Sequence, residues 1–136
     1  MKKNILIIGS NFARTHHLKI IKRLYKKVNI DISSPNIDSK KLDNRISKFR
    51  NYEKLLSKKK YNLIICCATL RVQDKFIKYL IKNKIFTKQI ILEKPVSKNI
   101  KVLKKLLRYL KARNIKLVVN YTYSNLYIVE KIKKIV

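Results

Sequence analysis

The chain has 136 residues, 35 Lys and Arg against 7 Asp and Glu, a formal charge of +28 and 46% apolar residues. That is one domain of the commonest size, too short for a two-domain enzyme and too rich in periodic aliphatics for a disordered basic tail. No uncharged stretch, Tyr61 to Leu70 included, reaches the ~18 apolar residues that span a bilayer, and Ile5 to Ile8 is shorter than a signal-peptide core of ~7 to 15, so a cytoplasmic protein with no membrane span is expected.

The period of the apolar residues separates two kinds of segment. Asn4 to Ile8 is a short β-branched run that predicts a buried strand, followed by Gly9, the one glycine in the sequence. Phe12 to Lys27 predicts a helix with an apolar stripe of Leu18, Ile21 and Tyr25, joined by Ile20 and Leu24. Val28 to Ile32 predicts the second strand. Ser33 to Asn44 is polar, contains Pro35 and predicts mostly loop, with a third strand near Ile46 to Phe49. Asn51 is placed to cap a short helix over Tyr52 to Leu56. Asn62 to Ala68 predicts strand four, and Val72 to Ile81 a helix with Val72, Phe76, Ile77, Leu80 and Ile81 on one stripe. Gln89 to Leu92 predicts strand five. Pro95 and Ser97 open a helix over Asn99 to Arg113, with Leu103, Leu106, Leu107 and Leu110 on one face and lysines on the others, and Asn114 suits a left-handed closure. Ile115 to Val119 is the sixth strand, and another helix begins at Asn125.

Strands that lack in/out alternation belong to parallel sheets covered on both faces, and their alternation with helices implies right-handed crossovers. The expectation is one doubly wound, Rossmann-like α/β domain over residues 1–124, with residues 125–136 starting a crossover helix. In such a sheet the ligand lies beyond the carboxyl ends of the strands. Gly9 stands where the chain turns sharply from strand to helix and where a pyrophosphate needs backbone without a Cβ. The helix that follows, from Asn11 or Phe12, offers free N–H groups and a positive dipole end to an anion. The full G-x-G-x-x-G is absent: Gly9-Ser10-Asn11-Phe12-Ala13-Arg14 keeps only its first glycine.

Five segments together resemble the N-terminal nucleotide-binding domain of the Gfo/Idh/MocA oxidoreductases. Asn4 to His17, NILIIGSNFARTHH, is similar to that family's strand, glycine turn and first helix. Asn51-Tyr52-Glu53-Lys54-Leu55-Leu56 is similar to its aspartyl-tyrosyl-leucine helix, and Leu63 to Thr69, LIICCAT, to the strand ending in an Ala-Thr-Pro turn, with Leu70 in place of the proline. Ile91-Leu92-Glu93-Lys94-Pro95 resembles the Glu-Lys-Pro signature, and Val118-Val119-Asn120-Tyr121 the strand that leaves the domain. The resemblance implies a nicotinamide dinucleotide, NAD or NADP, held by Gly9, Ser10, Asn11, Phe12, Ala13, Ser33, Ser34, Ala68, Thr69, Glu93, Lys94 and Pro95. It implies a catalytic role for Lys94 beside the nicotinamide ribose, and places one of His16 and His17 near the pyrophosphate. Pro95 suits a cis peptide bond in this turn.

The sequence also departs from the pattern. The acid that binds the ribose of NAD is replaced by Ser33 and Ser34; hydroxyls with lysines nearby suit a 2′-phosphate and favour NADP. Arg71 and Gln73 stand where the family often has Asn and His, and Tyr121-Thr122-Tyr123 lacks an arginine common there. Members of the family continue into a second α/β domain that carries the substrate pocket. The resemblance therefore implies a truncated or split sugar or sugar-nucleotide dehydrogenase that needs a partner chain.

Other chemistries are not favoured. Lys, Ile, Asn and Tyr, all encoded by AT-rich codons, make up 69 of the 136 residues, so drift in base composition accounts for the 28 lysines. Specific DNA readers lean on bidentate Arg, of which there are 7, and nucleic acid is not an expected partner. A basic module that grips polyanions by counterion release, or a remnant that only pairs with another chain, are the alternatives. Cys66 and Cys67, neighbours in a strand, face opposite ways as core thiols and can form neither a disulfide nor a metal pair. His16 and His17 point about 100° apart on a helix and share no metal; no metal site is expected. The eight tyrosines read as core, not as a platform for bases.

Overall fold

The computed structural model describes residues 3–9, 16–35 and 46–120. Six strands, β1 (Lys3–Ile8), β2 (Val28–Ser33), β3 (Ile46–Phe49), β4 (Leu63–Cys66), β5 (Gln89–Glu93) and β6 (Lys116–Asn120), form one sheet in the order β3-β2-β1-β4-β5-β6. Every pairing is parallel. The chain steps outward from β1 to β3, returns to lay β4 on the free side of β1, and steps outward again. Strand order therefore reverses between β1 and β4, as a doubly wound sheet requires.

The helices are α1 (Leu18–Leu24), α2 (Tyr52–Lys58), α3 (Leu70–Lys82) and α4 (Ile100–Ala112). On one face of the sheet Leu6, Ile8, Ile64, Cys66, Ile90 and Leu92 pack with Leu55 and Leu56 of α2, Phe76, Ile77 and Leu80 of α3, and Leu106 and Leu110 of α4. On the other, Ile5, Ile7, Ile30, Ile32 and Ile65 pack with Leu18 and Ile21 of α1. Each large aliphatic side chain removed from water in this way contributes roughly 1.5–3 kcal/mol. β1, β2 and β4 are buried on both faces, as their unbroken apolar runs predict. β5 is buried only at alternate residues, and β6 is nowhere fully buried.

The first helix differs from its prediction. It ends at Leu24, because Tyr25 is already extended and the chain must turn to enter β2 at Val28. Of the predicted stripe only Leu18 and Ile21 are buried; Ile20 and Leu24 are 53% and 68% exposed. The fourth helix starts at Ile100, capped by Asn99, whose Oδ1 accepts from the N–H groups of Lys101 and Val102 at 2.8 and 3.3 Å. Ser97 is not part of it. In α4 Leu107 is 50% exposed while Leu106 and Leu110 carry the contact. Asn114 takes the predicted left-handed conformation at φ 51°, and Lys84 does the same after α3 at φ 52°. In both places the next N–H returns to a carbonyl of the last helical turn, so a chain with one glycine closes two helices with residues that bear a Cβ.

Away from the strand ends, the Asp31 carboxylate on β2 is buried. It accepts from the Lys59 ammonium at 2.7 Å and from the Tyr61 hydroxyl at 2.6 Å. Lys59 is thus the partner of a buried acid.

Candidate functional site

At the point of reversal the ends of β1, β2 and β4 meet the starts of α2 and α3 around a cleft of about 660 Å³. That lies within the roughly 300–1,000 Å³ of small-molecule sites. Ile8, Gly9, Ser33, Ser34 and Pro35 line one side, Cys67, Ala68, Thr69, Val72 and Lys75 another, and Arg50, Asn51, Tyr52 and Glu53 a third.

The path of the chain at Gly9 explains why the only glycine sits there. Its φ is +129°, and its N–H donates to the Ser33 carbonyl at 2.9 Å, which ties the ends of β1 and β2. A Cβ at this position would lie 2.6 Å from the Cys67 carbonyl oxygen and 2.9 Å from its carbon. Conformation and contact both exclude a side chain. The cause visible among the described residues is the close approach of β4's exit to β1's exit.

Ser33 closes β2, one residue beyond the predicted end, and Ser34 donates its N–H to the Phe49 carbonyl at 3.0 Å. Both are nearly inaccessible as whole residues yet line the cleft. Asp31, the nearest acid on the same strand, is committed to Lys59 and Tyr61. Arg50 enters from the end of β3 and Lys75 from α3, two cations on the cleft wall, with Glu53 as the one acid among the described lining residues. Asn51 fixes the start of α2 by accepting from the Glu53 N–H at 2.7 Å, and Tyr52 packs edge-on against Phe76 at 5.9 Å and Tyr79 at 6.0 Å. Burial pushes the Tyr52 hydroxyl up to about 12, so it stays neutral near pH 7.

Cys66 and Cys67 do face opposite sides of the sheet, but only Cys66 is a core thiol. Cys67 is half-buried, packs toward the α1 face and lines the cleft, with its Sγ 3.5 Å from the Ile8 carbonyl oxygen. Burial raises each thiol to about 12, which leaves both protonated and unreactive at neutral pH.

The residues after β5 stand apart. Glu93, Lys94 and Pro95 are not among the described residues that line the cleft, although Glu93 directly follows Leu92, which pairs with Cys66 on β4. The Lys94–Pro95 bond is cis, and Lys94 is exposed. The Glu93 carboxylate accepts from the Asn120 side-chain amide at 2.8 Å and stands 3.8 Å from His17 Nε2. Burial lowers the His17 pKa, with the Glu93 carboxylate working against that shift. His17 thus joins α1 to the β5 turn, while His16 is exposed.

Gln73, which sequence reasoning noted only as a departure, fixes this turn. It lies on the buried stripe of α3, and its Nε2 donates to the carbonyls of Glu93, Pro95 and Val96 at 2.9, 3.1 and 3.0 Å, while its Oε1 accepts from the Glu93 N–H at 3.0 Å. The signal available was a polar residue at an apolar position of a clear helical period. Of the predicted residues, the structure brings Gly9, Ser33, Ser34, Ala68 and Thr69 into one cleft, with Glu93, Lys94 and Pro95 beside it. Ser10, Asn11, Phe12 and Ala13 lie outside the described residues, as does the start of the first helix. Among the described residues no three His, Cys, Asp or Glu side chains gather to hold a metal, and no helix is long and apolar enough to cross a membrane.

The profile of an oxidoreductase family with an NAD-binding Rossmann fold, Gfo/Idh/MocA, matches residues 3–121. No curated protein matches the sequence. Among solved structures, the WlbA dehydrogenase of Bordetella pertussis, in complex with NADH and UDP-GlcNAcA, superposes with a TM-score of 0.77 at 12% identity, over 98% of this chain and 41% of its own. An oxidoreductase of Agrobacterium radiobacter, in complex with NAD+, L-tartaric acid and magnesium, gives 0.69 at 16% identity over 91% and 36%. At these identities the likeness shows the fold. The chain spans about two fifths of the length of such proteins.

Proposed function

The chain belongs to the Gfo/Idh/MocA oxidoreductase family through its NAD-binding Rossmann fold, and on that premise we propose that it binds a nicotinamide dinucleotide across the carboxyl ends of β1, β2, β4 and β5. The observation that carries the reading is the turn at Gly9. There a positive φ and a close approach to Cys67 keep side chains out of the point where strand order reverses, beside a cleft of dinucleotide scale.

Ser33 and Ser34, with Arg50 beside them, support NADP over NAD: two hydroxyls and a guanidinium suit a 2′-phosphate, and the buried Asp31 is already paired. Ser10, Asn11, Phe12 and Ala13 would complete the pyrophosphate side, with Ala68 and Thr69 opposite. The bound dinucleotide would supply hydride transfer. Lys94 would donate to the ribose of the nicotinamide half and handle the proton that accompanies the hydride, with Glu93 and Pro95 shaping its turn. In this reading residues 1–124 are the nucleotide domain of a cytoplasmic sugar or sugar-nucleotide dehydrogenase, residues 125–136 begin a crossover, and the substrate pocket comes from further polypeptide, in this chain or a partner.

The test is a titration of the chain with NADPH and NADH at about 150 mM salt, where attraction between exposed charges is damped beyond ~8 Å. Saturable binding that prefers NADPH and survives excess heparin supports the reading. Affinity that tracks only ligand charge, and that heparin abolishes, sinks it in favour of a polyanion-binding surface.

A further inference from the structure

We infer that Gln73 is the positioning residue for Lys94, setting the nicotinamide side of the site without touching the ligand; the inference rests on the dinucleotide reading above. The position asks for an apolar side chain: Gln73 shares the stripe of Phe76, Ile77 and Leu80, and is 1% exposed. A carboxamide there is costly unless its donors and acceptor are satisfied. All of them are used, and every partner is backbone on either side of Lys94: the N–H and carbonyl of Glu93 before it, the carbonyls of Pro95 and Val96 after it. The residue between these anchors is Lys94, whose side chain is exposed. The next residue of α3 adds a second tie, since the Ser97 hydroxyl donates to the Asp74 carboxylate at 2.6 Å and also accepts from the Asn99 N–H at 3.1 Å. Residues 93–99 are thus fixed from α3 down to the cap of α4. A turn needed only as a connection requires no such clamp. One that must present an ammonium to within a few tenths of an ångström does.

The full chain is compared with Gln73→Leu, Gln73→Asn and Lys94→Ala, each titrated with NADPH and with adenosine 2′,5′-bisphosphate, the half of NADPH that lacks the nicotinamide nucleotide. Both Gln73 variants should lose about tenfold in NADPH affinity and less than about twofold for the fragment, as Lys94→Ala does, and Gln73→Asn with Lys94→Ala should be no weaker than Lys94→Ala alone because the two act through one contact. Equal losses for the two ligands, additive losses, no loss, or failure of both Gln73 variants to fold would overturn the inference while leaving the nucleotide site standing. A wild-type chain that binds neither ligand would instead remove the site and the inference with it.

Discussion

Two turns at the same end of the sheet are held by opposite means. After β1, Gly9 donates its N–H to the Ser33 carbonyl and lies against the Cys67 carbonyl, so the turn depends on the absence of a side chain at Gly9. After β5, Glu93, Lys94 and Pro95 are fixed by the Gln73 side chain from α3, so that turn depends on one particular side chain being present. The first turn opens on a cleft between central strands buried on both faces, and the second stands where the sheet is half-covered. A backbone-built turn fails all at once when altered, whereas a clamped one can be loosened without loss of the fold.

Substitutions at the first turn should therefore be the most damaging. Gly9→Val should cost about 3 kcal/mol or more in urea denaturation, from the left-handed φ and the contact with Cys67, and should abolish dinucleotide binding. A Gly9→Ala chain as stable as the wild type would break the comparison at its root. Lys59→Met gives a control remote from both turns. It leaves the buried Asp31 with only the Tyr61 hydroxyl, and should lower stability by about 1–2 kcal/mol while dinucleotide affinity stays the same. Within the cleft, Arg50→Ala should weaken NADPH about tenfold, roughly 1.4 kcal/mol, and leave NADH unchanged; Ser33→Asp should reverse the preference. A shared loss of both cofactors would place Arg50 elsewhere than at the 2′-phosphate.

The smallest effect is one of pH. Burial raises Cys67 from 9.0 to about 12, so above pH 9 the unfolded chain releases that proton while the folded chain keeps it. The stability contributed by the thiol is complete below pH 9 and is lost as pH climbs toward 12, about 1 kcal/mol by pH 10. Urea midpoints at pH 8 and pH 10 should fall further for the wild type than for Cys67→Ala. Equal falls would mean that the thiol is not shielded at the cleft wall.

The sequence was most legible where one face or one residue type carried the information. The unbroken apolar runs of β1, β2 and β4, the Asn51 cap, the left-handed Asn114 and the isolated Gly9 all appear where local chemistry demands them. Ile20 and Leu24 misled because an apolar stripe gives the period of a helix but not how wide a face the sheet will cover. β5 and β6 were read as fully buried, because residue type alone cannot separate a half-covered apolar strand from a covered one. Asp31 and Lys59 lie 28 residues apart, and their pairing exists only once β2 and the approach to β4 are side by side. Gln73 and Arg50 were missed for the same reason: each acts on a segment brought to it by the fold.

Hydrogen–deuterium exchange of the chain with and without saturating NADPH would test the central claim most directly. The account predicts slowed exchange at the ends of β1, β2, β4 and β5, at Gly9, Ser34, residues 50–53, residues 67–69 and residues 93–96. Protection spread instead over the lysine-rich outer surfaces of α3 and α4, with the strand ends unchanged, would contradict it.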